Sequence, residues 1–219
     1  MRAMTPSLRI GARQGGNVGI RTTVAVALTL AALALATAAC GGSGDSGGPS
    51  SGGGTETYAN DKYGFSITYD TLLTQGRPSG GTGSGPGSAF DIAFVDTSGT
   101  DIDGEYIDGI RVSVYELTRA VKPDEVPQLK PQADGAVAQL MDSLPSAQVT
   151  EPLQDVEIDG VPGFTISYTF TQQEVDVTAA SYFLFSGTYE YELTEQASRQ
   201  DWAKLRPVLD AAIQSFTVK

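Results

Sequence analysis

Residues 58–69 read YANDKYGFSITY, and within this stretch FSITY (residues 65–69) alternates apolar and hydroxylated side chains. Such alternation has the period of a β-strand that buries one face. From Tyr58 onward the chain consists of short alternating runs separated by turn residues, a pattern typical of a largely antiparallel sheet. The folded domain is therefore predicted to span residues 58–219.

The same alternation predicts further strands and two hairpin turns. Asp159-Gly160 and Ser186-Gly187 are dipeptides that favour tight turns, because glycine readily adopts a positive φ. The strands expected around these turns and earlier in the chain are 89–95, 109–117, 156–158, 164–170, 179–185 and 188–193. A short final strand is expected at 216–218.

Two segments carry a helical period instead. The first, 132–144, stops before Pro145; in the second, 198–215, Ser198 and Asp201 resemble a capping box and Pro207 is expected to kink or locally break the helix. The apolar faces are formed by Ala133, Val137, Leu140, Met141 and Leu144 in the first, and by Trp202, Leu205, Leu209, Ala212 and Ile213 in the second. One-sided helices beside an antiparallel sheet predict an α+β fold in which the sheet is packed with helices.

The charge distribution excludes several classes of function. The chain of 219 residues has a formal net charge of −12, and residues 1–39 hold four arginines and no acid, which leaves 10 basic and 26 acidic residues in the remainder. A surface with this acidic excess repels nucleic acid. Histidine is absent, which removes Ser/His/Asp and Cys/His nucleophile systems and imidazole metal sites.

The first 39 residues have the organisation of a signal peptide. Residues 1–21 are basic, residues 24–39 are sixteen mostly small or aliphatic residues, and Ala38-Ala39 form a small-residue cleavage site. A membrane-spanning helix needs about 20 apolar residues. A cleaved leader is therefore favoured over a permanent transmembrane anchor.

Cys40 is the only cysteine and follows the expected cleavage site. Ala38, Ala39 and Cys40 resemble the lipobox of bacterial lipoproteins, in which the cysteine thiol is diacylated and the leader is removed. A buried packing role for Cys40 is disfavoured, because the Gly/Ser-rich residues after it offer little apolar surface. Residues 40–57 are thus predicted to be an acylated cysteine and a flexible tether of roughly 20–25 Å, at the extracytoplasmic face of the cell membrane.

Two parts of the domain resemble the PsbP-like superfamily. Residues 58–69 look like its first strand, where an aromatic-Gly-Phe step opens an alternating run, and residues 202–218 are similar to its last helix and strand. With the leader and Cys40, the chain resembles most closely the actinobacterial LpqN-like lipoproteins of that superfamily. The resemblance implies a sheet flanked by helices and a non-enzymatic role, because known members dock onto larger complexes such as photosystem II or a small GTPase. No catalytic residue and no cofactor are implied.

An acidic segment is the most suggestive polar cluster. Its five carboxylates fall within thirteen residues, at Asp96, Asp101, Asp103, Glu105 and Asp108. Oxygen-rich loops can bind Ca²⁺, but with Asp101 as the first ligand the glycine and glutamate positions of an EF-hand fall on Tyr106 and Val112. The segment is interpreted as a solvated hairpin loop without a metal site, with divalent-ion binding as the alternative.

Two other features have structural interpretations. Residues 80–87, GGTGSGPG, lack the lysine and the spacing of a phosphate-binding loop, so a disordered insertion over residues 76–88 is predicted. The strand aromatics are expected to be core or cross-strand partners, or to line a ligand pocket or partner surface: Tyr58, Tyr63, Phe65, Tyr69, Tyr168, Phe170, Tyr182, Phe183, Phe185, Tyr189 and Tyr191. The acids within strand-like runs are expected to face solvent: Glu174, Asp176, Glu190 and Glu192.

Three functions remain open at this point. The leading hypothesis is a lipid-anchored binding or scaffolding lipoprotein without catalytic activity, which docks to an envelope protein. The alternative is a carrier of a small apolar ligand or lipid in a cavity between sheet and helices. An enzyme that uses carboxylates alone ranks last, because no carboxylate pair can be argued from the sequence.

Overall fold

The structure, a computed structural model, describes residues 53–76, 87–144 and 146–219. The expectations for the leader, for Cys40, for most of the tether and for residues 80–86 lie outside these residues. The strands are β1 (Thr55–Asn60), β2 (Phe65–Asp70), β3 (Thr74–Gly76), β4 (Phe90–Val95), β5 (Asp101–Ile102), β6 (Glu105–Tyr106), β7 (Gly109–Val121), β8 (Gln148–Ile158), β9 (Val161–Gln172), β10 (Val175–Ser198) and β11 (Thr217–Val218). The helices are a 3₁₀-helix (Pro123–Leu129) that leads directly into α1 (Lys130–Ser143), and α2 (Trp202–Gln214).

The large sheet is antiparallel and has the order β3-β4-β7-β10-β9-β8. A smaller sheet has the order β1-β2-β11, and β5 pairs with β6 in a hairpin. The predicted α+β class, an antiparallel sheet packed with helices, is confirmed. The final strand is also confirmed, since β11 pairs with Phe65 and Ser66 of β2.

Strand β10 is a single run of 24 residues, but it folds back on itself. The Arg199 amide donates to the Asp176 carbonyl (2.8 Å), and the Ser181 and Thr194 hydroxyls lie 2.9 Å apart. Residues thirteen positions apart in a straight strand would be separated by about 43 Å. β10 is therefore a hairpin that turns at Gly187, whose φ is +59°, as the sequence predicted. Its first arm pairs with β9 and its second with β7.

Two further turns connect β8 to β9 and β9 to β10. Asp159 and Gly160 both have positive φ (+49° and +77°), the geometry of the predicted hairpin. Gln173 and Glu174 also have positive φ (+45° and +71°), and they form a turn that the sequence did not indicate because neither is a usual left-handed residue. Glu174, expected in a strand, lies in this turn.

The large sheet buries both of its faces. On one face, α2 and the smaller sheet form a core with alternate residues of β4, β7 and the second arm of β10. On the other face, the 3₁₀-helix and α1 pack on β9 and the first arm of β10. The aromatic run in that arm serves both cores, because Leu184 points toward α2 and Phe183 and Phe185 point the other way. β10 thus lies at the centre of the molecule.

Both predicted helices are present, with shifted bounds. α1 begins at Lys130 and buries Ala133 and Val137 of its predicted face, and α2 begins at Trp202 rather than at residue 198. α2 continues through Pro207, so of the predicted kink or local break the break is wrong. Ala203 and Pro207 are both exposed, and water can therefore satisfy the carbonyl that proline leaves without a donor. The Ser198 hydroxyl donates to the Asp201 carboxylate (2.9 Å), and the Asp201 amide lies 3.3 Å from the same hydroxyl oxygen, to which it donates. These contacts form part of the predicted capping box.

The boundaries of two predicted flexible segments are corrected where the structure describes them. β1 begins at Thr55, and the Gly54 amide donates to the Thr71 hydroxyl (3.2 Å), so the sheet starts before Tyr58. Gly76 belongs to β3, and the Ser88 hydroxyl donates to Asp91 at 2.7 Å. The ordered domain is larger at both places than the sequence indicated.

Candidate functional site

Three glutamates on the second arm of β10 are withdrawn from water. Glu190 has no exposed surface and Glu195 is 1 % exposed, while Glu192 is partly buried. The prediction that Glu190 and Glu192 face solvent is therefore wrong. An alternating run exposes one of its two faces to solvent when the strand lies at the surface of a domain. The second arm of β10 lies instead between β7 and the first arm, and groups pack on both of its faces.

Glu190 and Glu192 belong to a group that we call the sheet-face cluster, on the face opposite α2. The register places Glu192 opposite Ser113 of β7, and Ser113 opposite Asp91 of β4. Arg111 donates from Nη2 and Nε to Asp91 Oδ1 at 3.0 and 3.3 Å, and the Ser113 hydroxyl donates to the same oxygen. The full cluster consists of Asp91, Arg111, Ser113, Tyr115, Glu190 and Glu192.

The sheet-face cluster holds three carboxyl groups against one guanidinium. Neither oxygen of Glu190 has a hydrogen-bond partner among the described residues. Burial, with a smaller effect of Glu192, raises the pKa of Glu190 to about 8. Burial also raises the pKa of Glu192 to about 7, although the Tyr115 hydrogen bond and the Arg111 charge oppose this. At neutral pH Glu190 is therefore mainly protonated, which avoids a buried unpaired charge.

Glu195 belongs to a second group, the helix-edge cluster, between β10 and α2. The Tyr182 hydroxyl donates to Glu195 Oε1 at 3.2 Å, and the charge of Asp210 on α2 acts on the Glu195 carboxyl. Arg206 Nε lies 3.4 Å from Asp210 Oδ2, and the Arg206 guanidinium lies 5.8 Å from the centre of the Trp202 ring. The cluster consists of Tyr182, Glu195, Trp202, Arg206 and Asp210.

The helix-edge cluster is buried at one end and open at the other. Glu195 Oε2 has no hydrogen-bond partner among the described residues. Burial, followed by the charge of Asp210, raises the pKa of Glu195 to about 8. The side chains of Asp210 and Arg206 are 42 % and 53 % exposed. Asp210, fifteen residues after Glu195, thus affects the Glu195 carboxyl from a helix, and sequence periodicity does not indicate such an effect.

The acidic loop is only in part the solvated hairpin that was predicted. Asp101 and Asp103 are exposed near the β5–β6 turn, but Asp96 and Asp108 are buried. Asp96 accepts the Ser98 amide (2.8 Å), and Asp108 accepts the Thr100 amide (2.7 Å) and the Ser198 amide (2.7 Å). Asp108 thus fixes the loop against the end of β10, whereas Asp96 holds the loop's own backbone. Within the described ranges, no group of three or more His, Cys, Asp or Glu residues is arranged to hold a metal ion.

The sheet–helix interface is filled by side chains. Leu205, Leu209, Ile213 and Phe216 are each at most 1 % exposed, and the strand aromatics pack in the two cores. A depression of about 370 Å³ lies instead on the surface beside the β9–β10 turn, lined by Glu174, Val175, Asp176, Arg199 and Gln200. Its charged lining does not suit the apolar ligand of the carrier hypothesis. In the part of the chain that the structure describes, no helix is long and apolar enough to cross a membrane.

Comparison with known proteins identifies the fold. No family model matches the chain, and no curated protein matches it in sequence. The solution structure of cyanobacterial PsbP (CyanoP) from Synechocystis sp. PCC 6803 is similar, with 16 % identity, a TM-score of 0.52, and coverage of 80 % of this chain and 98 % of that chain. The chain therefore has a PsbP-like fold, and the resemblance predicted from residues 58–69 and 202–218 is confirmed.

A second similar structure is that of LpqN from Mycobacterium tuberculosis, which is described as involved in cell envelope biogenesis. It shares 13 % identity with this chain, with a TM-score of 0.46 and coverage of 78 % of this chain and 87 % of that chain.

Proposed function

We propose that the chain is a lipid-anchored, extracytoplasmic binding or scaffolding protein, held to the membrane through Cys40 and docking onto a protein of the cell envelope. The observation that carries this proposal is the order of its parts. An apolar leader ends at the single cysteine, a Gly/Ser-rich segment follows, and an acidic PsbP-like domain comes last. Such a tether lets a folded domain reorient above the membrane without leaving it.

The described residues support binding through surface groups rather than through an internal cavity. Side chains fill the interface between α2 and the sheet, whereas the helix-edge cluster reaches the surface at Asp210 and Arg206. The buried carboxylates of the acidic loop hold backbone amides and thus stabilise structure. A docking protein is expected to present a rigid, charged surface of this kind to its partner.

The anchor is tested by intact-mass analysis of protein extracted from membranes. We expect a chain that begins at Cys40 and carries the mass of two acyl chains, found in the membrane fraction. The Cys40→Ser variant should lack the acyl mass and keep its leader. A wild-type chain with an unmodified Cys40 would contradict the anchor.

The docking role is tested by crosslinking in intact envelopes, followed by purification of the tagged full-length chain. We expect one protein to be recovered reproducibly with the wild type and to be reduced with Cys40→Ser, because the anchor raises the local concentration at the membrane. Recovery of no reproducible protein from the wild type, with acylation intact, would overturn the docking role.

A further inference from the structure

Strand β1 borders the smaller sheet and pairs on one side only. It pairs with β2 along its whole length of six residues, without a register shift. Thr55, Thr57 and Ala59 are exposed. A strand at the border of a sheet carries a row of backbone N–H and C=O groups that no neighbouring strand binds.

The contacts of β2 show which backbone groups of β1 point outward. The Thr68 amide donates to the Ser215 hydroxyl (2.8 Å), and the Thr68 carbonyl accepts from it (2.9 Å), on the β11 side of β2. Thr68 therefore makes no ladder hydrogen bond with Thr57, and the amide and carbonyl of Thr57 point away from β2. Because directions alternate along an antiparallel pair, the amides and carbonyls of Thr55 and Ala59 also point outward.

These outward backbone groups of Thr55, Thr57 and Ala59 are called the β1 edge. In the part of the chain that the structure describes, no group bonds them. Since the side chains beside them are exposed, the β1 edge is open to solvent.

The other strands at sheet borders are blocked or short. β8 borders the large sheet, but its register shifts twice, Pro152 lacks an amide hydrogen, and the Lys130 ammonium donates to the Leu153 carbonyl (3.0 Å). β3 and β11 contain three and two residues. Proteins use such features to prevent a further strand from pairing at a border. β1 has a continuous register and no proline, so it is the strand border best suited to accept another strand.

The β1 edge matches an extended backbone. Its amides and carbonyls recur at every second residue, which is the period of a strand. An added antiparallel strand can exchange two hydrogen bonds with each of Thr55, Thr57 and Ala59. Peptides that bind by strand addition gain affinity from such main-chain bonds and specificity from alternate side chains.

The side chains of β1 favour particular residues in the added strand. Glu56 is exposed and Tyr58 is half-buried, and both lie on the same face of β1. The Glu56 carboxylate accepts the Tyr69 hydroxyl (2.9 Å), and the Tyr58 ring lies 5.9 Å from the rings of Phe65 and Phe94. Opposite charges and apolar pairs stabilise neighbouring strands. A basic residue beside Glu56 and an apolar residue beside Tyr58 are therefore the matching pair.

A second copy of the chain matches the β1 edge less well. If two β1 strands paired about Thr57, the Glu56 side chains of the two copies would lie diagonally across the pair, where like charges repel. Each chain also has a net charge of −12, which opposes association of two copies and favours a basic partner.

We propose that the β1 edge binds an extended, basic segment of the protein partner as an added antiparallel strand. This inference rests on the proposed docking function and assigns it to one border of the smaller sheet. The partner segment carries an apolar residue two positions before a basic one, so that these residues lie beside Tyr58 and Glu56.

The test uses the peptide acetyl-Thr-Thr-Val-Thr-Lys-Thr-amide, which in antiparallel pairing places valine beside Tyr58 and lysine beside Glu56. Amide hydrogen exchange of the full-length chain is measured by NMR with and without millimolar peptide. We expect exchange at Thr55, Thr57 and Ala59 to slow about fivefold, because each outward amide gains an acceptor. The amides of Glu56 and Tyr58 point toward β2 and should change little.

Modified peptides make this test specific. N-methylation of the fourth residue, which faces Thr57, removes a donor to the β1 edge and should abolish the slowing. N-methylation of the third residue, whose amide points away from β1, should preserve it. Glutamate in place of lysine should weaken binding about fivefold, because it repels Glu56.

A pair of variants tests the β1 edge in the chain itself. Thr57→Pro removes the outward amide without breaking a bond to β2, which a border strand tolerates. Thr57→Ala keeps the amide and loses the same hydroxyl contact with Thr68 (2.9 Å). Circular dichroism should show both variants folded. Thr57→Pro should lose peptide binding and partner crosslinking in envelopes, whereas Thr57→Ala should keep both.

Four results with the wild-type chain would overturn the inference. They are no slowing with the unmodified peptide, equal slowing with the peptide methylated at its fourth residue, equal binding of the glutamate peptide, and protection of the Thr57 amide that rises with protein concentration alone. The last result would assign the β1 edge to a second copy.

The two proposals can fail separately. If the peptide binds but the wild type crosslinks no partner, the docking function fails and the β1 edge remains a peptide site. If a partner is crosslinked equally by the wild type and by Thr57→Pro, only the assignment to the β1 edge fails.

Discussion

The Ser181 hydroxyl lies 2.9 Å from the Thr194 hydroxyl, although thirteen residues separate them in one continuous extended segment. This contact exists because β10 folds back at Gly187. The fold-back places the second arm between β7 and the first arm, and this position buries Glu190 and Glu195. Both carboxyl clusters therefore depend on a single hairpin.

The turn of this hairpin should require glycine. Gly187 has a φ of +59°, and Gly187→Ala should lower the free energy of unfolding by about 1–2 kcal/mol, because a Cβ is strained in this region. Gly135 lies within α1 at a normal φ and with open space around it, so Gly135→Ala should instead stabilise by about 0.5–1 kcal/mol. Urea denaturation of both variants measures these changes. Equal effects of the same sign would contradict the turn assignment.

Gly163 should tolerate no side chain. A Cβ at this position would overlap the Phe183 carbonyl and lie 2.9 Å from the Leu184 Cα, which pairs with Gly163 at the end of the β9–β10 register. Backbone atoms of a central strand cannot move aside cheaply, so Gly163→Ala should cost about 3 kcal/mol or more, the cost of severe overpacking. At Gly76, where an added Cβ would meet no atom of the described residues within 4 Å, the same substitution should change the stability by less than about 0.5 kcal/mol. The midpoints of thermal unfolding compare the two.

The hydroxyl of Ser215 should stabilise the smaller sheet. β11 pairs with Phe65 and Ser66 of β2. Further along β2, the Ser215 Oγ accepts the Thr68 amide (2.8 Å) and donates to the Thr68 carbonyl (2.9 Å). Ser215→Ala leaves these backbone groups without this partner and should cost about 1–3 kcal/mol.

The control for this prediction is Ser143→Ala. Among the described residues the Ser143 hydroxyl donates only to the Leu140 carbonyl within its own exposed helix end, so its loss should cost less than about 0.5 kcal/mol. Hydrogen exchange at the Thr68 amide gives an independent measurement. Unchanged protection of that amide in Ser215→Ala would show that the hydroxyl does not stabilise the backbone of β2 beyond its pairing with β11.

The stability of the chain should fall as the pH rises from about 5 to 8. The pKa of Glu190 is raised from 4.5 to about 8, so across this interval the folded state binds a proton that the unfolded state has lost. Stability therefore decreases with pH, by up to about 1.4 kcal/mol per pH unit for one such group. Glu192 and Glu195, whose pKa values are raised to about 7 and about 8, act in the same direction.

Substitution separates the contribution of Glu190. Glu190→Met, which is apolar and of similar length, should reduce the pH dependence and stabilise the domain at pH 8. Glu157→Gln, at an exposed position of β8, should leave the pH dependence unchanged. Urea denaturation between pH 5 and pH 8 provides the comparison, and an unaltered slope in Glu190→Met would show that this carboxyl is already ionised in the folded state.

Local sequence patterns predicted a turn or a helix correctly where the residue types have an intrinsic preference for that conformation. Asp159-Gly160 and Ser186-Gly187 marked two turns correctly, because glycine adopts positive φ without strain. Gln173 and Glu174 form the third turn without such a residue, so nothing local distinguished it from a strand. The bounds of α2 were predicted to within four residues, because its apolar face follows the helical period.

The sequence by itself determined the antiparallel α+β class, the two helices and the two glycine turns, because periodicity and backbone preference act over neighbouring residues. Only the tertiary structure decided which acids are buried. Glu190 and Glu192 alternate with apolar residues as solvent-facing acids do, and they are withdrawn from water only because the second arm of β10 lies inside the sheet, between β7 and the first arm. Likewise Glu195 is withdrawn from water because α2 packs across this side of β10. Such long-range contacts depend on how elements assemble, and the spacing of residues along the chain does not encode them locally.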